Sequence, residues 1–273
     1  MVKQDVKVKS YVRKGKLVKN YQRKQNILQK VGLTLGGIAA LTGTTIAGLK
    51  IKHYVGINNA ANLIKKGNFN LNKINNNKPI IYTVSGLRTT VDDYMVDHVK
   101  ELFPDFNIIS LPLTFNVGKG IDLKDAIKRY IKPLITKGYN PDSLELAKNV
   151  YAQYKVNPNN TYYLVGHSAG GVTTNHAQEI LNKLGVKTKV VNTGSYYSKI
   201  ENLSKTDNFT ILGKDDNVVK PFYSHNPIMI EGGHNPYGKG EVLYDKNGNY
   251  YIDHNVIPES HKQWEKQMRK LIK

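Results

Sequence analysis

The stretch TYYLVGHSAGG, residues 161–171, constrains the fold of this chain more than any other. Four aromatic, aliphatic or β-branched residues in a row, Tyr162 to Val165, suit a strand buried on both faces. The strand runs straight into Gly166, His167, Ser168, Ala169, Gly170 and Gly171, and a helical pattern follows from Val172 to Leu184. Small residues on both sides of one serine let a strand and a helix pass close to each other at a sharp bend. That bend lifts the serine side chain above the end of a sheet and aims the first N–H groups of the helix toward it.

The rest of the chain from Lys78 onward repeats the strand–helix alternation. Strands are predicted at 79–84, 106–113, 161–165, 189–193, 209–213 and 227–233. Helices are predicted at 92–102, 123–136, 142–154, 172–184 and 259–272, with Pro133 bending the second of these and Asn140-Pro141-Asp142 opening the third. A hairpin is predicted at 241–253, turning at Asn247-Gly248. Alternation of this kind implies an α/β domain over 78–273, with a mainly parallel sheet and helices on both faces.

The N-terminal part is organised differently. Residues 1–30 form a basic leader with ten Lys/Arg against one Asp, close to half of the chain's formal net charge of +19. Val8 to Lys14 is echoed by Val18 to Lys24, with Gly15 between the copies, so a small basic hairpin and a solvated arm are both open. Val31 to Leu49 is 19 residues without a charge, flanked by Lys30 and Lys50. That is near the minimum for a membrane-spanning helix, and the basic leader favours keeping its own side cytoplasmic. The expectation is a single transmembrane helix with the α/β domain outside the cytoplasm; the alternatives are a signal cleaved on secretion and a buried or interfacial amphipathic helix. Residues 50–77 read as an Asn/Lys-rich spacer with a helix from His53 to Lys66.

Charge this concentrated points to an anionic lipid or polymer as the partner of residues 1–30, and gives no support for specific nucleic-acid recognition by the domain. With no cysteine and eight histidines that lack metal-ligand spacing, the expectation is no metal and no cofactor.

Gly166-His167-Ser168-Ala169-Gly170, set between a strand and a helix, resembles the nucleophile elbow of the α/β-hydrolase superfamily. The resemblance covers roughly residues 78–273. It implies an α/β-hydrolase-like fold and a serine hydrolase, of esterase or lipase type, that attacks an acyl ester through a Ser-His-Asp triad. Ser168 is then the nucleophile. Asp216, after the strand at 209–213, is the acid, with Asp215 as its spare. His261, just before the last helix, is the base, with His234 in IEGGHNPYG as the alternative. The backbone N–H groups of Ala169 and Leu87 are the expected oxyanion donors. The loop after the first strand carries Ser85 before Gly86 where many lipases have His-Gly, and its Arg88 is either an anion contact or a surface residue. Two other functions fit the same residues: a binding protein on a hydrolase scaffold with the leader as its active part, or an acyltransferase or peptidase using the same triad. The helices at 123–154 either cover the sheet or form a lid.

Overall fold

The structure is a computed structural model of the 273-residue chain. It describes residues 11–13, 16–18, 46–67, 78–86, 94–111, 136–195, 201–216, 227–233, 241–244, 250–253 and 258–273. Six strands form one parallel sheet: β3 (Ile80–Val84), β4 (Asn107–Leu111), β5 (Tyr162–His167), β6 (Lys189–Thr193), β7 (Asn208–Gly213) and β8 (Pro227–Ile230), in the order β4-β3-β5-β6-β7-β8. Two short hairpins stand outside it: β1 (Tyr11–Arg13) with β2 (Lys16–Val18), and β9 (Glu241–Tyr244) with β10 (Tyr250–Asp253), both antiparallel.

The strand sequences explain the layering. Alternate side chains leave opposite faces of a strand. Ile80, Tyr82 and Val84 of β3 and Tyr162 and Leu164 of β5 enter one core with α1 (Ile46–Lys66), α3 (Pro141–Val156) and α4 (Ala169–Lys183). Ile81 of β3 and Tyr163 and Val165 of β5 enter the other core with α2 (Tyr94–Leu102) and α5 (Glu259–Leu271). A central strand with two covered faces has no solvent side, so β3 and β5 read as continuous apolar runs and are buried throughout.

The predicted opening of α3 holds: the Asn140 side chain accepts a hydrogen bond from the Asp142 N–H at 3.0 Å, and Pro141 occupies the first turn. The stretch read as a spacer is, up to Lys66, a helix docked on the domain. Ile57, Ala60, Ala61 and Ile64 recur at helical spacing and are buried against α3 and α4. This helix starts at Ile46, so the last four residues of the uncharged run belong to it. Lys65, Lys66 and then Gly67 end it. Among the described residues no helix is long and apolar enough to cross a membrane. Residues 31–45 of the uncharged run lie outside the described residues, as do the Asn-rich stretch 68–77, residues 123–135 of the helix predicted over 123–136 and the hairpin turn at Asn247-Gly248.

Candidate active site

Topology sets where a site can form. The chain runs β3, then β4 on one side, then β5 on the other, so the helices after β3 and β5 leave to opposite faces. The crevice beyond the C-terminal ends of two such strands is where open α/β sheets bind ligands. Ser168 is the residue immediately after β5 at that crevice.

Its backbone has the geometry of a strained elbow. Ser168 has φ 52° and ψ −119°, and among the described residues no other non-glycine has a positive φ. A conformation of this kind costs on the order of 1–3 kcal/mol and persists only where the surroundings impose it. They do so here. The Ser168 N–H donates to the Thr193 carbonyl at 3.1 Å, and the Gly171 N–H donates to the Ser168 carbonyl at 3.1 Å. A Cβ on Gly170 would lie 2.1 Å from the Val84 carbonyl oxygen, and one on Gly166 would lie 2.7 Å from the Gly171 nitrogen. Backbone approaches backbone at both places, so neither glycine can be replaced cheaply. Ser168 is partly exposed while His167 and Ala169 on either side are buried. Ala169 is the first residue of α4, so its N–H has no intrahelical acceptor.

The sheet order, the elbow and helices on both faces decide the architecture. The fold is α/β-hydrolase-like. No family model and no curated protein matches the sequence. Among solved structures, a variant of YbtT, the type II thioesterase from the yersiniabactin NRPS/PKS biosynthetic pathway, superposes with a TM-score of 0.43 at 12% identity, covering 74% of this chain and 96% of that one. The thioesterase RedJ from the prodiginine pathway of Streptomyces coelicolor superposes with a TM-score of 0.44 at 11% identity, covering 71% of this chain and 90% of that one. The α/β-hydrolase-like assignment rests on the sheet and elbow of this chain itself.

Asp216 follows β7 and is fully buried, whereas Asp215 is exposed. Two backbone hydrogen bonds seat this loop on the end of β8: Lys214 N–H to the Ile230 carbonyl at 2.9 Å and Asp215 N–H to the Gly232 carbonyl at 3.0 Å. A Cβ on Gly213 would lie 2.2 Å from the Gly232 oxygen and 2.3 Å from the Gly233 oxygen. The turn at Glu231–Gly233 is thus pressed onto the strand that leads to Asp216.

His261 lies in the first turns of α5 and is 3% exposed. Its ring meets the edge of His98 on α2, centroids 5.0 Å apart, and that of Trp264 at 5.9 Å. Its Nε2 is 4.0 Å from Glu265 Oε1. Trp264 links this helix to the elbow, because its indole N–H donates to Thr193 Oγ1 at 3.0 Å and the Thr193 carbonyl accepts from Ser168. Neither His98 nor Thr193 was singled out from sequence; both are reached only through the fold. His234, Leu87 and Arg88 lie outside the described residues. Gly86, next to Leu87, borders the nucleophile: a Cβ there would be 3.1 Å from the Ser168 Cβ. Among the described residues no group of three or more His, Asp or Glu could hold a metal ion.

Proposed function

We propose that this protein is a serine hydrolase that cleaves an acyl ester through Ser168, in a domain anchored at a membrane and held outside the cytoplasm. The observation that carries the reading is the strained, partly exposed Ser168 between a buried strand and the start of α4. Ser168 Oγ attacks the ester carbonyl. The Ala169 N–H, at the positive end of α4, takes the developing oxyanion together with an N–H of the Gly86–Leu87 loop. A histidine removes the serine proton and returns it to the leaving alcohol, Asp216 orients that histidine, and water releases the acyl group by the reverse route.

Asp216 is favoured over Asp215 as the acid because it is buried on the loop seated against β8. For the base, the turn at Gly232–Gly233 favours His234. The Gly233 carbonyl lies on Gly213, three residues from Asp216, and His234 is bonded to it. His261 is the second candidate, supported by the link from Trp264 through Thr193 to Ser168.

Labelling the full chain with a fluorophosphonate tests the nucleophile. Wild type should be labelled and Ser168→Ala should not; labelling that survives the change would remove Ser168 from the mechanism. Asp216→Asn should lower turnover of a short-chain ester by about 10⁴-fold, as loss of the orienting acid does elsewhere, while Asp215→Asn leaves it nearly unchanged. Anchoring predicts carbonate-resistant membrane association that is lost when the uncharged run is interrupted by charges.

A further inference from the structure

The buried face of α1 fixes the helix to the domain, and among the described residues no hydrophobic cluster covers Ile51, Tyr54 and Val55 on the opposite face. His53 docks it: Nδ1 donates to the Gly138 carbonyl at 2.5 Å and Nε2 meets Glu179 Oε1 at 2.8 Å. A Cβ on Gly56 would come 2.1 Å from the Lys137 oxygen, so the two backbones are in close contact. On the outer side Ile51, Tyr54 and Val55 are 66%, 59% and 49% exposed. They stand at spacings of three and four and so share one helix face. Leu63, near the other end, is 57% exposed.

Two further features identify what covers that face. The 19-residue uncharged run ends at Leu49, two residues before Ile51, and its last four residues are already part of α1. At about 1.5 Å of rise per residue, Ile51 and Val55 lie about 3 Å and 9 Å beyond the run. The polar layer of a bilayer leaflet is roughly 5–8 Å thick, so Ile51 falls within it and Val55 at its outer edge, and Tyr54 between them suits that layer. The second feature is charge. Lys50 and Lys52 flank the patch, and Lys183 Nζ sits 4.5 Å from the centre of the Tyr54 ring. Lys50, Tyr54 and Lys183 line a pocket of about 500 Å³ whose carboxylates, Glu179 and Glu201, are engaged by His53 and His176.

We propose that the first turns of α1 are a docking surface for an anionic bilayer, in which Ile51, Tyr54 and Val55 enter the headgroup layer and Lys50, Lys52 and Lys183 bind lipid phosphates. This rests on the membrane-anchor reading of Val31–Leu49 and adds to it. The helix leaves the membrane as one rod, so the domain is held at a fixed height rather than on a flexible tether. Leu63, about 21 Å beyond Leu49, stands clear of the lipid.

The chain has no cysteine, so single-cysteine variants carry one label each. Full-length Ile51→Cys, Val55→Cys and Leu63→Cys proteins are labelled with an environment-sensitive fluorophore. They are reconstituted in vesicles of phosphatidylcholine with or without phosphatidylglycerol. Labels at 51 and 55 should brighten, shift to the blue and be quenched by headgroup-level quencher lipids, more strongly with phosphatidylglycerol; the label at 63 should remain water-like. Lys50→Glu/Lys183→Glu should remove the phosphatidylglycerol dependence. Protein that floats with vesicles while labels at 51 and 55 remain water-like would overturn the docking surface and leave the anchor standing. Protein that does not float would overturn both. Shielding without vesicles that grows with protein concentration would assign the face to a second copy, and shielding at 63 as well would overturn the fixed-height geometry.

Discussion

Each face of the sheet buries a pair of histidines, and the two pairs are built differently. His53 and His176, on the α1/α4 side, have ring centroids 4.8 Å apart; His98 and His261, on the α2/α5 side, are 5.0 Å apart. The first pair is enclosed by carboxylates and backbone. His53 faces an acceptor at each nitrogen, the Gly138 carbonyl and Glu179, so both nitrogens must carry protons. His176 accepts from the Asn140 N–H at Nδ1 and donates from Nε2 to Glu201, which is the neutral form. Burial lowers the His53 pKa, but the hydrogen bond and charge of Glu179 outweigh it and hold it above the ordinary value. Burial, with the His53 charge beside it, pushes His176 down to about 3. The second pair is packed on Trp264, and the nearby Glu101 and Glu265 are more than a third exposed. Similar ring spacing therefore serves two ends: one pair sets the charge state of a buried network, the other packs on Trp264, whose indole is hydrogen-bonded to Thr193.

The contrast can be broken first through catalysis. If the α2/α5 pair serves chiefly as packing, His261→Phe keeps fluorophosphonate labelling while His234→Ala lowers ester turnover by about 10⁴-fold. The opposite pattern would make His261 the base. Stability gives the next largest effect. Glu201 accepts from His176 at 3.1 Å and from Asn175 Nδ2 at 3.2 Å, so Glu201→Leu leaves two buried donors without it. At about 1–3 kcal/mol for each such donor, urea unfolding should show a loss of roughly 2–6 kcal/mol. On the other side His261→Phe should cost only about 1–2 kcal/mol.

The pH dependence should be opposite for the two members of the α1/α4 pair. The His53 pKa is raised in the fold, so its stabilisation is complete below the ordinary value of 6.5 and fades as pH rises through the folded value. His176 is depressed to about 3, so its neutral form stabilises the fold above 6.5 and that contribution is lost as pH falls toward about 3. In urea midpoints measured against pH, His53→Gln should lose most relative to wild type on the acid side. His176→Gln should flatten the acid-side decline. A comparable effect is expected at the bridge between α5 and the elbow. Trp264→Phe removes the hydrogen bond to Thr193 Oγ1 and should cost about 1 kcal/mol for that bond, with loss of ring volume adding to it.

Much of this architecture was legible in the residues. The apolar runs of β3 and β5, the cap at Asn140 and the small residues around Ser168 are local signals, because each acts on its own neighbours in the chain. The elbow could be read because a tight strand-to-helix bend permits few residue types at 166, 169, 170 and 171. The docking of α1 was less visible. Its buried positions 57, 60, 61 and 64 include two alanines, and the Asn-rich composition that follows resembles a linker. The histidines were least legible. All five that the structure describes are buried, at 53, 98, 167, 176 and 261, yet the one-dimensional sequence marks none as core.

The sequence by itself determined the strand–helix order, the two-faced burial of the central strands and the sharp turn at Ser168, since these follow from periodicity and side-chain size over short stretches. Only the tertiary structure decided that Asp216 is buried while Asp215 is exposed, that the Gly232–Gly233 turn lies against Gly213, and that His53 meets Glu179 from 126 residues away. Those facts depend on which chain ends the parallel sheet brings side by side. Contact between distant segments is set by the packing of whole layers, and no local pattern encodes it.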